Sequence, residues 1–191
     1  MNKARLKKIW KHGTTVLLGV IITILLVPSW RVSFQGWFQG LFMAQMELKE
    51  ESNTPLPINV LDWVIYDDQN TATTFRNYTN KPTVLTFWAT WCPPCRAELQ
   101  ELKTLKENYN GKVNFVSVSE ESNETVKKSG LTKSYDFLYT TQLYPHFFEI
   151  QSYPTLCIIN KHGELIFKHA GAGALDNEKN RDFLDGLVVN G

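Results

Sequence analysis

The sequence predicts an α/β fold, with a mixed central sheet flanked by helices, over residues 61–191. From Leu61 onward, apolar runs of strand length alternate with helical patterns, which is typical of strands joined by helices. Later, two apolar runs separated by a short turn indicate an antiparallel hairpin, and a helical pattern follows them. Together these three observations predict a sheet that contains strands in both orientations.

Each predicted element rests on a local pattern. The run 83–89 is apolar, as expected for a buried strand, and the alternation in 113–119 also predicts a strand. Leu99, Leu102 and Leu105 recur at helical spacing and predict the buried face of a helix. In chain order, the prediction is strand Trp63–Tyr66, strand Thr83–Ala89, helix Pro94–Tyr109, strand Val113–Ser119, helix Glu121–Ser129, strand Thr155–Asn160, turn 161–164, strand Leu165–His169 and helix Asp176–Val189.

Positive charge is concentrated at the amino terminus. Residues 1–12 hold five of the 20 lysines and arginines and no acid, so the rest of the chain has 15 basic and 19 acidic residues. A mildly acidic body lacks the basic surface that binding to nucleic acid requires. Nucleic acid is therefore excluded as a partner.

The basic tail 1–12 precedes a predicted membrane anchor. Residues 13–30 contain no charge and are mostly apolar, and a spanning helix needs roughly 17–25 residues. No clear small-residue cleavage site follows, so an uncleaved anchor is favoured, with a cleaved signal peptide as the alternative. Because basic residues stay in the cytoplasm, the rest of the chain is predicted to face the periplasm or cell exterior, tethered to a bacterial inner (cytoplasmic) membrane.

Two further segments precede the predicted domain. In 31–46, aromatic and apolar residues recur at helical spacing from Phe34 to Phe42. This pattern predicts an amphipathic helix, either at the membrane surface or packed on the domain. Residues 47–60 are mainly polar and contain two prolines, which predicts a linker.

Cys92 and Cys95 form a Cys-Pro-Pro-Cys motif where the strand 83–89 gives way to a helix. Pro93 keeps Cys92 out of helical geometry, so Cys92 is predicted to cap the helix, with both prolines in its first turn. The positive end of the helix favours a Cys92 thiolate, which would attack a partner disulfide, and Cys95 would resolve the mixed disulfide. This thiol pair is the predicted redox centre, and no cofactor is implied.

Other interpretations of the cysteines are weaker. A zinc site would need a second pair of ligands, and a haem c attachment site would need histidine where Arg96 stands. A structural disulfide would not need to lie at the start of a helix. The third cysteine, Cys157, lies in an apolar strand and is predicted to be buried and inert.

The segment from Phe87 to Arg96 (FWATWCPPCR) resembles the active-site segment of the thioredoxin superfamily, specifically its TlpA/ResA-like membrane-tethered branch. A second landmark, Tyr153-Pro154 at the start of an apolar strand, agrees with this resemblance. The resemblance implies a thioredoxin-like fold with a cis peptide bond before Pro154, next to the redox pair. It also implies substrate contacts from Trp91, from the backbone of Tyr153 and from Pro154.

One departure from the superfamily concerns the proton acceptor. Thioredoxin carries a buried aspartate six residues before its first cysteine, and here that position is Thr86, which cannot act as a base at neutral pH. In the branch that the sequence resembles, an acid three residues after the second cysteine is the corresponding group, which implies Glu98. From spacing alone, a solvated Glu98 on the helix surface is an equally good interpretation.

The motif also bears on the direction of electron flow. The two prolines lack N–H groups and no histidine lies between the cysteines, so the helix start would lower the pKa of Cys92 from about 8.5 to no further than about 7. Such a thiol suits a reductant or isomerase better than an oxidase. Outside the cytoplasm, the pair would need electrons from a transmembrane carrier of thiol–disulfide type.

The resemblance implies two kinds of substrate: apocytochrome c thiols awaiting haem, as in cytochrome c biogenesis, and disulfide-containing proteins that need repair. Two other classes of protein remain open. The first is a copper chaperone, because paired thiolates bind Cu(I). Thioredoxin-like copper chaperones, however, have a three-residue gap between their cysteines. The second is a tethered interaction module without enzymatic activity.

Overall fold

The computed structural model describes residues 14–16, 18–20, 22–23 and 45–190. The described residues between 14 and 23 are helical. Within the described ranges, no helix is both long enough and apolar enough to cross a membrane. The predicted tail 1–12 and most of the predicted segments 13–30 and 31–46 lie outside the described residues.

The described part of the chain forms one mixed sheet of eight strands in the order β1-β8-β7-β4-β5-β6-β2-β3. Strands β4, β5 and β6 run parallel to one another, and the remaining pairs are antiparallel. The strands are β1 Thr54–Pro55, β2 Val64–Tyr66, β3 Ala72–Thr74, β4 Thr83–Phe87, β5 Asn114–Ser119, β6 Leu138–Thr140, β7 Thr155–Ile159 and β8 Glu164–Ala170.

Within residues 45–190, four α-helices accompany the sheet: α1 Ile58–Leu61, α2 Pro93–Tyr109, α3 Asn123–Lys128 and α4 Glu178–Asn190. Three short 3-10 helices lie at Phe75–Tyr78, Leu131–Lys133 and His146–Phe148. Helix α2 ends at Asn110, which adopts the left-handed conformation with φ 44° and ψ 48°. Asparagine tolerates that conformation better than most residues, so it stops the helix there.

The sheet separates two apolar layers, and residues of β4 alternate between them because side chains alternate along a strand. Val84 packs into the layer that also contains the apolar face of α2 and the two motif cysteines. Leu85 and Phe87 pack into the opposite layer, with Trp63 and Phe148. The redox pair therefore shares its layer with the long helices, on one side of the sheet.

The predicted α/β fold is confirmed, and each predicted element is present with its ends shifted by a few residues. Three strands, β1, β3 and β6, were not predicted, nor were α1 and the 3-10 helices. These strands have only two or three residues, and so short a run carries no periodicity of its own. Their conformation depends on pairing with longer neighbours, which local sequence does not specify.

The prediction of a linker over residues 47–60 is wrong. Leu48, Leu56 and Val60 are buried, and the segment contributes β1, which pairs with β8, and helix α1. The apolar residues are widely spaced in a polar segment, so they form no local pattern that would predict a packed element. They are buried because they join the two apolar layers: Leu48 belongs to the layer of Leu184 on α4, and Leu56 and Val60 belong to the opposite layer.

Cys157 lies in β7, fully buried in the layer on the opposite side of the sheet from the redox pair. Burial raises the pKa of its thiol to about 12, so it stays protonated near neutral pH. The predicted burial is confirmed. A protonated thiol separated from Cys92 by the sheet cannot exchange with the active-site disulfide.

We therefore expect Cys157→Ala to retain disulfide reductase activity. The variant should lose about 1 kcal/mol of unfolding free energy, as for a small truncation in a core. Reduction of insulin disulfides would measure the activity, and chemical denaturation the stability. A folded but inactive Cys157→Ala protein would contradict the prediction that Cys157 takes no part in the reaction.

Candidate active site

The disulfide between Cys92 and Cys95 lies at the start of α2, just beyond the carboxyl end of β4. Cys92 is the N-cap, with extended φ −92° and ψ 103°, and the helix begins at Pro93. The backbone N–H of Cys95 donates a hydrogen bond of 3.2 Å to the Sγ atom of Cys92. The predicted cap geometry is thus confirmed, and one helix N–H points at the first sulfur.

The two cysteines are both nearly inaccessible to solvent, whereas the residue that precedes them is largely exposed. Cys92 is 3% exposed and Cys95 is fully buried, whereas Trp91 is 65% exposed. The small remaining exposure of the pair is therefore at Cys92, beside the exposed Trp91. This asymmetry fits the predicted order of reaction, in which Cys92 attacks and Cys95 resolves.

The peptide bond between Tyr153 and Pro154 is cis, as the resemblance implies. Pro154 is buried immediately before β7, which pairs with β4 in the centre of the sheet. The ring of Trp91 contacts the ring of Tyr153 edge to face, with 5.8 Å between their centroids. The loop before β7 therefore lies beside the residue that precedes Cys92.

A groove of about 660 Å³ opens on this side of the redox pair. Trp91 and Tyr153 belong to its lining, and so does Leu143, whose side chain is largely exposed to solvent. The remaining lining residues are Glu120, Tyr144, Pro145, His146, Glu149, Ile150, Gln151 and Ser152. Exposed aromatic and aliphatic surface next to a reactive disulfide is suited to binding a polypeptide.

Glu98 lies one turn beyond Cys95 on α2, and its side chain is fully buried. Neither carboxyl oxygen has a hydrogen-bond partner of normal geometry. Burial raises the pKa of Glu98 to about 8, and the nearby backbone of Gly173 opposes that shift only in part. The surface interpretation of Glu98 is therefore wrong. Its proton can be exchanged in the pH range where thiols ionise.

The other unpartnered polar atoms lie in the same layer as Glu98. Within the described residues, the buried side-chain oxygens and nitrogens without a partner belong to Thr86, Trp88, Glu98 and Ser117. Thr86 on β4 and Ser117 on β5 are register partners beneath α2. Such orphaned groups are rare in folded proteins and mark sites that stability alone does not explain. Here they lie together in the layer that holds the cysteines.

Sequence reasoning missed Glu121, which holds the turn before Cys92. Its carboxylate accepts hydrogen bonds from the backbone N–H of Thr90 at 2.6 Å and from the Thr90 hydroxyl at 2.7 Å. The Ser119 hydroxyl donates a third bond to it, and Arg96 donates to the carbonyl of Thr90. Glu121 follows β5, and β4 and β5 are parallel neighbours, so their carboxyl ends meet. The parallel pairing of β4 and β5 was therefore the signal that could have placed Glu121 next to the turn before Cys92.

A disulfide that caps a helix after a central strand, beside a cis proline, defines the chain as a thiol–disulfide oxidoreductase of the thioredoxin superfamily. The Redoxin family model matches residues 52–182. The chain belongs to that family, and the resemblance to its TlpA/ResA-like members is confirmed.

The chain is also similar to curated relatives and to solved structures. Thioredoxin-like protein YneN from Bacillus subtilis is 24% identical over 163 residues, which cover 81% of this chain and 89% of that protein. Thiol-disulfide oxidoreductase ResA from Bacillus cereus is 25% identical over 151 residues, which cover 76% and 83%. A structure titled thiol:disulfide interchange protein DsbE, from Chlorobium tepidum, has a TM-score of 0.62 at 18% identity and covers 73% of this chain and 99% of its own. That structural match supports the fold.

Proposed function

We propose that this protein is a membrane-tethered oxidoreductase that reduces or isomerises disulfides of proteins outside the cytoplasm. One observation carries the proposal: a disulfide at the start of α2 lies one helical turn from a buried, unpartnered carboxyl group. A structural disulfide needs no such acid. The relative named thiol-disulfide oxidoreductase ResA supports the same chemistry.

The reaction begins with the reduced pair. The Cys92 thiolate attacks one sulfur of a substrate disulfide, forms a mixed disulfide and releases the other substrate sulfur as a thiolate. The Cys95 thiolate then attacks the Sγ atom of Cys92. This step releases the second substrate sulfur and leaves the Cys92–Cys95 disulfide, so two electrons pass from the protein to the substrate.

Glu98 serves as the proton carrier for Cys95 in both directions. In its ionised form it removes the proton from the Cys95 thiol before that sulfur attacks the mixed disulfide. When a donor later reduces the protein by attacking Cys92, Cys95 is the leaving group, and protonated Glu98 returns the proton. A pKa of about 8 makes both forms available within about one pH unit of neutrality.

The groove beside the redox pair binds the substrate chain. Its exposed residues Trp91 and Leu143 offer apolar contact, and the backbone of Tyr153, before cis Pro154, is available to an extended peptide. Two carboxylates, Glu120 and Glu149, line the same groove. Candidate substrates are apocytochrome c thiols awaiting haem and proteins with misformed disulfides.

The predicted membrane tether determines which kind of electron donor can reduce the protein. A redox domain outside the cytoplasm has no soluble source of reducing equivalents, so a transmembrane carrier of thiol–disulfide type must reduce it. The charge asymmetry of residues 1–12 and the uncharged run 13–30 support this topology.

The activity is tested first with the reduced full-length protein. We expect it to reduce insulin disulfides, and we expect Cys92→Ala to abolish that activity because the attacking sulfur is lost. Cys95→Ala should accumulate mixed disulfides with substrate proteins, which gel electrophoresis without reductant would detect. Stoichiometric, tight Cu(I) binding by the reduced protein without disulfide reduction would instead support the copper-chaperone alternative.

Glu98→Gln tests the proton carrier. For the wild-type protein, the rate at which Cys95 resolves the mixed disulfide should rise with pH and level off near pH 8, because the ionised carboxylate is the base. Reduction of the Cys92–Cys95 disulfide by a dithiol should slow as the pH rises through the same value, because protonated Glu98 is then no longer available to donate a proton to Cys95. Glu98→Gln should slow resolution roughly 10²–10⁴-fold and remove this pH dependence in stopped-flow measurements. An unchanged profile would leave water as the proton acceptor.

The topology is tested by labelling intact cells. After mild reduction, a membrane-impermeant thiol reagent should modify Cys92, because the redox domain is proposed to lie outside the cytoplasm. Cys92→Ala is the matched control, since buried Cys157 should not react. Protection of Cys92 until the cells are lysed would reverse the proposed orientation.

A further inference from the structure

A short segment that includes the first residues of the predicted linker packs against the active-site layer. This strap, residues Gln45–Leu48, forms a bridge with Ala174 in the loop between β8 and α4. The backbone N–H of Met46 donates to the carbonyl of Ala174 at 3.3 Å. Met46 and Leu48 are buried, whereas Gln45 and Glu47 are exposed. The strap therefore adds an extended piece of chain to the rim of the core.

Asn180 on α4 clamps the strap at both backbone positions. Its Oδ1 atom accepts a hydrogen bond of 2.7 Å from the backbone N–H of Leu48, and its Nδ2 atom donates to the carbonyl of Met46 at 2.8 Å. The same Nδ2 atom also donates to the carbonyl of Leu175 at 2.9 Å. Asn180 is fully buried, so each of these bonds is shielded from water. One amide thus ties the strap to the loop that follows β8.

The clamped strap presses Met46 onto Gly173. A Cβ atom added at Gly173 would lie 2.5 Å from the Cβ atom of Met46 and 2.7 Å from its Cε atom. The position therefore admits only glycine at this closeness. The backbone of Gly173 is in turn the polar group that acts on the carboxyl of Glu98. The contacts of Asn180 with the strap and of Met46 with Gly173 therefore hold the strap against the backbone that acts on Glu98.

Charged side chains around Glu98 are engaged elsewhere. On α2, Glu101 accepts a hydrogen bond from the backbone N–H of Asp176 in the loop after β8. On the strap, Glu47 pairs with Lys179 of α4 at the surface, 3.3 Å apart. Burial raises the pKa of Glu98 and the Gly173 backbone opposes that rise, with no contribution from these charges. The remaining titratable groups of α2 near Glu98 are the two motif cysteines and Arg96, which binds the Thr90 carbonyl.

We propose that Met46, held by Asn180, is a positioning residue that covers Glu98 and keeps water from its carboxyl group. This inference rests on the proposed function, because the covered carboxyl is the proposed proton carrier for Cys95. It assigns the residues between the predicted tether and the domain a role in the reaction. Loosening the strap would hydrate Glu98 and favour its ionised form, so the carboxyl would become a weaker base.

The test uses full-length protein and measures Glu98 directly. In Met46→Ala and in Asn180→Ala, the ionisation midpoint of Glu98 should fall by at least one pH unit from near pH 8. NMR titration of the labelled Glu98 carboxyl carbon would follow this shift. The midpoint of the pH profile for resolution of the mixed disulfide should fall by the same amount. Two variants are needed because Asn180→Ala could unfold the end of the strap and α4 together.

Matched controls separate cover from general loss of stability. Met46→Leu conserves the side-chain volume over Gly173, so Glu98 should keep its wild-type ionisation midpoint in this variant. Leu184→Ala truncates another buried residue of the same layer, so it should lower stability and leave the midpoint unchanged. An unchanged Glu98 midpoint in both Met46→Ala and Asn180→Ala would overturn the inference. A shifted midpoint with an unshifted rate profile would retain the cover and reject Glu98 as the proton carrier.

Discussion

The site depends on keeping one carboxyl group dry beneath a disulfide. An ionised Glu98 without hydrogen bonds would be strongly unfavourable in an apolar layer, so the group stays protonated until the pH approaches about 8. Water would remove that constraint at once by solvating the charge. The backbone of Gly173 acts on the carboxyl, and the strap at Met46, which packs on Gly173, is our proposed cover against water.

A second set of contacts controls the geometry of the sulfur atoms. The two prolines fix the start of α2, so Cys92 stays extended while the N–H of Cys95 points at its sulfur. The turn before Cys92 is then fixed by Glu121 from the end of the neighbouring parallel strand. The two carboxyl groups differ in their surroundings: Glu121 is half-buried and hydrogen-bonded to Thr90, whereas Glu98 is fully buried without such bonds and is our proposed proton carrier.

Sequence patterns predicted the central elements well because those elements are long and regular. Strands β4 and β7 are mainly apolar runs, and α2 repeats leucine at helical spacing. Each element can therefore be predicted from its own residues. Residues 47–60 failed for the opposite reason. Leu48, Leu56 and Val60 are spaced too widely among polar residues to form a pattern, and only the surfaces they cover explain their burial.

The sequence by itself determined the chemistry of the Cys92–Cys95 pair, because proline geometry and the helix start act within a few residues. It also determined that Cys157 lies in an apolar strand. Only the tertiary structure decided that Glu98 is buried and not solvated, since its spacing from Cys95 allows both. The proposed cover over that carboxyl, Met46 packed on Gly173, consists of residues that are distant in sequence from Glu98 and from each other. Burial is a property of what packs on a residue, and no local pattern around Glu98 contains that information.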